Sequence, residues 1–261
     1  MPAGDVGALG VATSLLLVAI AVGLSWRVGL GLERTLLWAS ARALVQLLLV
    51  GAALALVVDP DSPIALSWLW VLAMLVFAAD VARRRAPEVP GMFTLALAAF
   101  AATGAVTVGV IFGLGVFPLE GRTLVPMAGL AVGNAMNATV LAARRIVEEL
   151  RDKRLEVEAR LALGQPGPQA ARPYVRTALR AALVPQIETT KAVGIVFLPG
   201  AMTGLILAGV APLDAVLVQV VVMYLVLGST ATATAVVAIG VVRRLFTPDH
   251  RLVALSRPAD A

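Results

Sequence analysis

Seven stretches of this chain stay apolar for about as long as a bilayer is thick. A hydrocarbon core of roughly 30 Å takes about 20 residues of helix, and runs near that length fall at residues 6–26, 36–58, 64–81, 92–117, 124–143, 192–210 and 213–242. Backbone amides find no water in lipid, so runs of this kind must be helical. The expected fold is therefore all-α, a polytopic membrane helical bundle of about seven transmembrane helices. Composition agrees: 60% of the 261 side chains are hydrophobic and 14% charged, where soluble domains carry roughly 45–50% and about 25%.

Short links such as Asp59-Pro60-Asp61-Ser62-Pro63 make neighbouring helices antiparallel, with Ser62 a candidate N-cap and Pro63 the first helical position. A secretory signal peptide carries a basic region before its apolar run. No Lys or Arg precedes Arg27, so the first run is expected to be a retained helix. The expected organisation is one transmembrane domain over residues 1–261, interrupted by a single long hydrophilic segment at about residues 144–190.

That segment, with Lys191 directly after it, holds ten of the 21 basic residues. Its first part reads as an amphipathic helix, because Ile146, Leu150, Val157 and Leu161 fall within about 60° of one another at 100° per residue. Glu149 with Lys153 and Glu156 with Arg160 have the spacing of i,i+4 ion pairs. Gln165-Pro166-Gly167-Pro168 then breaks the chain, and a second helix is expected from Pro173 to near Pro185. Counting cations by alternate loops puts 19 on one side and only Arg122 on the other, with Arg42 inside a span. The positive-inside rule makes the first side cytoplasmic, so the N-terminus lies outside and the C-terminus inside. The basic excess is thus an orientation signal and not a nucleic-acid footprint.

Several chemistries are excluded. There is no cysteine and only one histidine, His250, which removes thiol catalysis, Cys-based metal sites and multi-His clusters. A phosphate-binding loop needs Gly-Lys before Ser or Thr, but Lys153 and Lys191 follow Asp and Thr. A retinal-type photoreceptor needs a lysine in its last helix, and residues 213–242 contain none. His250 is expected to be solvated.

Polar groups inside the spans are costly in lipid and so mark candidate sites. Arg42 has two readings: a snorkelled or structural arginine paired with Asp80, or one lining a substrate path with Gln46 on the same face. Asn134 and Asn137 share a helix face, where they either bond across a packed seam or face substrate. Gly129 with Gly133, Gly109 with Gly113 and Gly200 with Gly204 have the spacing of close helix contacts. Pro199-Gly200 marks a kink or hinge in the sixth run. Gln219, Met223 and Tyr224 line up in the seventh. Met127, Met136, Met202 and Met223 offer soft sulfur, although methionine in a bundle usually packs.

In the hydrophilic segment, Glu158-Ala159-Arg160-Leu161-Ala162-Leu163-Gly164 resembles the EAA loop of bacterial ABC permeases, with Glu158, Ala159 and Gly164 in place and Arg160 departing from the usual small residue. Together with Gly133-Asn134-Ala135-Met136-Asn137-Ala138, Leu198-Pro199-Gly200-Ala201-Met202-Thr203-Gly204, Gln219 and Arg244-Leu245-Phe246-Thr247, the chain resembles the FetB family (UPF0014). The resemblance implies a permease subunit in the bacterial inner membrane that exports iron or another metal ion. It would pair with a second copy and be driven by a separate FetA-like ATPase that binds the ATP, with no cofactor of its own. Residues 144–190 would be the coupling loop, Glu158, Ala159 and Gly164 its contacts, and Pro199-Gly200 the hinge. The path would be polar at Arg42, Gln46, Asn134, Asn137 and Gln219, with metal ligands unspecified. An ion-coupled secondary transporter, a permease for a small organic or lipid-like substrate, and a structural or signalling subunit stay open. The secondary transporter would call for a carboxylate at mid-depth, and Asp80 and Asp214 lie at span ends.

Overall fold

The computed structural model describes residues 8–59, 61–194 and 198–253. All regular elements among them are helices, joined near the C-terminus by one isolated β-bridge between Phe246 and Leu252. The helices are α1 (Ala8–Val28), α2 (Glu33–Val57), α3 (Ile64–Arg85), α4 (Met92–Thr107, continued by a π-turn over Val108–Phe112), α5 (Gly121–Asp152), α6 (Arg154–Ala162), α7 (Gly167–Ala192), α8 (Gly200–Leu207) and α9 (Pro212–Leu245). Five are long and apolar enough to cross a membrane: Glu33–Val57, Ile64–Arg85, Met92–Phe112, Gly121–Asp152 and Pro212–Leu245, and Ala12–Val28 is a shorter apolar helix.

The core is a bundle of α3, α4, α5 and α9, with α7 against α5 and α9. Small residues make the contacts, notably Ala79 and Ala82 of α3, Ala96 and Ala99 of α4, Ala142 and Ala143 of α5, and Ala233 of α9, all fully buried. Without a hydrophobic force between helices in lipid, close backbone approach through such residues is what holds them. Phe100 is the largest side chain enclosed there. The α1–α2 hairpin stands apart, with long exposed rows such as Leu47, Leu48 and Leu49.

Polar contacts sort the loops to the two ends of the bundle. At one end Arg144 Nε pairs with Glu88 at 2.8 Å, Arg244 donates to the Pro90 and Gly91 carbonyls at 3.0 and 2.7 Å, and the Gly167 N–H meets His250 Nδ1 at 3.4 Å. At the other end the Ser67 hydroxyl donates to the Val57 carbonyl at 3.2 Å, with Gly121 beside it. Since α9 has 34 residues, its ends lie about 50 Å apart. The chain therefore travels from the basic end to the opposite end between Gly167 and Pro212.

It does so differently from the sequence expectation. The run at 192–210 is not one helix: α7 ends at Ala192, Val193 and Pro199 are extended, and only the eight residues of α8 are helical beyond. The helix expected from Pro173 to Pro185 begins earlier and ends later: Ala170, Ala171, Tyr174, Ala178 and Ala182 bury one continuous face across Pro173, and the helix runs on past Pro185 to Ala192 without burying another residue. The span at 124–143 is the middle of the 32-residue α5, which the amphipathic stretch from Ile146 to Leu150 prolongs. At the α2–α3 turn, Pro63 takes the cap position itself, and the Ser62 hydroxyl donates to the Leu56 carbonyl at 2.7 Å.

Candidate functional site

Two places gather the residues that the sequence singled out. The first is a cavity of about 670 Å³ between α2, α3 and α5. Arg42 and Gln46, one turn apart on α2, form one wall; Asp80, Arg84 and Arg85 of α3 form the basic end; Met74, Gly133 and Met136 line the apolar part. Arg42 and Asp80 share this cavity, but Asp80 is taken by its own helix, accepting from Arg83 Nη2 at 2.8 Å and Arg84 Nε at 2.7 Å. The expected Arg42–Asp80 pair is not made. Arg85 Nη1 donates to Asn137 Oδ1 at 3.0 Å, which ties the basic end of α3 to α5. A wider groove of about 820 Å³ along Arg34, Leu37 and Trp38 is lined by α2 alone, so no groups converge on it.

The other polar candidates lie elsewhere. Asn134 turns its amide back on its own helix, Nδ2 donating to the Leu130 carbonyl at 2.8 Å. Gln219 is buried on α9, where its Oε1 accepts from the Met202 N–H at 3.3 Å. That bond serves the first turn of α8, whose cap position holds Pro199, a residue with no acceptor side chain. Pro199 and Gly200 thus mark the start of a short helix. Among the methionines, Met127 packs with Ile111 and Val222, while Met136 lines the cavity. No group of three or more His, Cys, Asp or Glu gathers among the described residues.

The second place is the hydrophilic hairpin of α6 and α7. Val157 is fully buried and anchors α6, while Leu155 and Leu163 are 82% and 83% exposed. Glu158 Oε1 accepts from Arg154 Nε at 2.7 Å, Ala159 is exposed, and Gly164 ends the helix at φ 84°, a left-handed position that favours glycine. The expected pairs from Glu149 and Glu156 are replaced: Glu156 accepts from Lys153 Nζ at 3.0 Å and from the Tyr174 hydroxyl at 3.0 Å, and the Arg160 guanidinium lies 5.9 Å from the Tyr174 ring centre. The Lys153 ammonium, then the Tyr174 hydroxyl, hold the Glu156 carboxyl below its usual range, and Glu156 in turn raises Lys153.

The C-terminal turn closes over this hairpin, forming with Arg154, Glu158 and Leu161 a cavity of about 420 Å³. His250 is exposed, as expected, yet its ring nitrogen serves the start of α7. Sequence reasoning missed this contact, and it missed Arg84 and Arg85 as site residues because clustered basic residues at a span end read as an orientation signal.

A bundle of apolar helices with a charged helical hairpin at its basic end defines a multi-pass membrane protein. The chain belongs to the family described as Uncharacterised protein family (UPF0014), which matches residues 8–246. It is 38% identical over 231 residues to the rice (Oryza sativa subsp. japonica) UPF0014 membrane protein STAR2, covering 88% of this chain and 80% of that one. It is 32% identical over 244 residues to the Bacillus subtilis UPF0014 membrane protein YjkA, covering 94% and 97%. To the Escherichia coli probable iron export permease protein FetB it is 31% identical over 242 residues, covering 93% of each. No solved structure matches the chain.

Proposed function

We propose that the chain is the membrane-spanning permease subunit of an ABC transporter that exports iron or another metal ion. A separate cytoplasmic ATPase drives it, and it works as a pair of copies. The observation that carries this reading is the exposed side of α6 and its C-terminal cap: Leu155 on the nine-residue helix and Leu163 directly after it stand exposed, while Val157 anchors the other side. Exposed leucines, one just before the Glu158-to-Gly164 motif and one within it, suit a knob that buries in a groove of another protein. The similarity to a probable iron export permease supplies the cargo.

On this reading the chain crosses seven times, with the N-terminus outside and the C-terminus in the cytoplasm. The sixth crossing is made between α7 and α8. ATP binding draws the ATPase pair together and pulls α6. The motion passes through α7 to the hinge at Pro199 and Gly200, where α8 shifts against α9. Arg42 and Gln46 of α2 face Asn137 of α5 across the path, while Gln219 holds α8 in register.

The test is co-purification with the ATPase subunit and metal-stimulated ATP hydrolysis after reconstitution in lipid vesicles. Leu155→Asp with Leu163→Asp should abolish co-purification while the solubilised permease keeps its thermal midpoint, since neither side chain packs in the fold. Glu158→Ala should keep part of the association and lower stimulation. If the double variant still binds and stimulates the ATPase, α6 is not the coupling helix.

A further inference from the structure

The cavity between α2, α3 and α5 has an electrostatic character that bare metal transit does not explain. Three guanidiniums, from Arg42, Arg84 and Arg85, line it against the single carboxylate of Asp80. That carboxylate is already bonded to Arg83 and Arg84. Arg85 is engaged, among the described residues, only by the neutral Asn137 amide. Among the described residues, no hydrogen bond or ion pair engages the side chain of Arg42 or Gln46. Arginine within a span is ordinarily paired, so an unpaired guanidinium facing a cavity calls for an anion. A bare cation would be repelled.

The rest of the cavity narrows the ligand. From Arg85 to Met74 along α3 is about 16 Å at 1.5 Å per residue, and over that length the lining changes from guanidinium to thioether, phenyl and aliphatic groups. A Cβ added at Gly133 would meet nothing within 4 Å, so the wall of α5 is open there. The charged end lies with the basic loops, which the proposed membrane placement puts at the depth of lipid head groups. Basic pockets between helices on that side suit phosphate head groups, and the planar fork of arginine fits a phosphate oxyanion with two bonds.

We propose that this cavity is a phosphate-class oxyanion site, with the head group on Arg42 and Arg85 and the body of an amphiphile along Met74 and Phe77. The proposal rests only on the membrane placement of α2, α3 and α5. It stands or falls apart from ATPase coupling through α6.

The experiment uses the full chain in detergent, with native mass spectrometry counting bound phosphatidylglycerol, phosphatidylcholine or inorganic phosphate. Phosphatidylglycerol should bind more tightly than phosphatidylcholine. Arg42→Gln and Arg85→Gln should each weaken it about fivefold, the equivalent of ~1 kcal/mol per basic residue, while Arg122→Gln at the opposite end should not. Gly133→Leu, which projects into the open cavity, should displace the lipid while keeping the thermal midpoint. It therefore tests the site even if an arginine variant misfolds. Competition by inorganic phosphate would identify a free oxyanion as a second source of the same chemistry, whereas binding of the lipid alone assigns the site to membrane phosphate. Equal binding of the two lipids, equal effects of Arg42→Gln and Arg122→Gln, or no binding by any probe would overturn the proposal.

Discussion

The turn between α3 and α4 depends on Gly91 and on the Arg244 guanidinium that bonds its carbonyl. Gly91 sits at φ 63°, and a Cβ there would fall on the Arg244 guanidinium, whose Nη2 also donates to Thr94 Oγ1 at 2.6 Å. An L side chain in that backbone region costs about 1–2 kcal/mol, and the displaced guanidinium loses its bonds to two carbonyls. Gly91→Ala should therefore lower the thermal midpoint of the purified protein. In an Arg244→Ala background the same substitution should cost only the backbone part, and full additivity of the two variants would show that the clamp is not what Gly91 protects. Residue-level features were unevenly legible in the sequence. A glycine after Pro90 was a visible turn signal, but its partner lies 153 positions away. The Asp80 pairing was legible in principle: arginines at i+3 and i+4 outcompete one on another helix, and spacing alone shows that. Asn134 bonding its own Leu130 carbonyl was not legible, because a helix offers that acceptor to every asparagine and only packing decides whether it is taken.

At the level of elements, the α6–α7 hairpin couples a charge cluster to helix packing. Glu156 is held below its usual range by Lys153 first and by the Tyr174 hydroxyl next. A lowered carboxyl contributes stability that is complete above its ordinary pKa and lost as pH falls through the lowered one. Lys153, raised by Glu156, contributes below the ordinary lysine pKa and loses that contribution as pH rises through the raised one. The hairpin should thus be tightest between the carboxylate and lysine ranges. Amide hydrogen exchange in α6, corrected for intrinsic rates, should show protection falling on the acid side, and Glu156→Gln should flatten that fall. An unchanged acid limb in the variant would assign it to other carboxyls. Element lengths proved legible where periodicity was strong and misleading where proline ruled. Pro173 and Pro185 suggested boundaries, yet α7 runs through both, with five buried residues at helical spacing across Pro173. Pro199 suggested a kink inside one helix, and the extended backbone there instead starts a separate one. Local propensity yields when a long face is buried, and α8, with no buried residue, has no such face.

For the whole molecule, the decisive question is on which side α9 begins. Hydropathy marks five long helices, and if α7 and α8 did not cross, α9 would start on the cytoplasmic side and end outside. Arg243 and Arg244 would then lie outside, against the charge rule. Arg244 also bonds the α3–α4 turn, which follows Arg83, Arg84 and Arg85. That turn and the end of α9 share a side in any arrangement of the bundle. The proposed seven crossings would satisfy both constraints, with the sixth assembled from α7 and α8, neither of which is among the five helices long and apolar enough to cross alone. The chain has no cysteine, so single introduced cysteines can be labelled without background. Ser62→Cys and Ala208→Cys should react with a membrane-impermeant maleimide applied to intact cells, whereas Leu30→Cys and Asp249→Cys should react only after permeabilisation. Ala208 is the informative position, since it ends the short helix that has to reach the outer side. If Ala208→Cys labels only with Asp249→Cys, the chain does not cross between Gly167 and Pro212. The contacts that place Gly167 at His250 and Arg244 at Gly91 could then not coexist with a cytoplasmic start for α9.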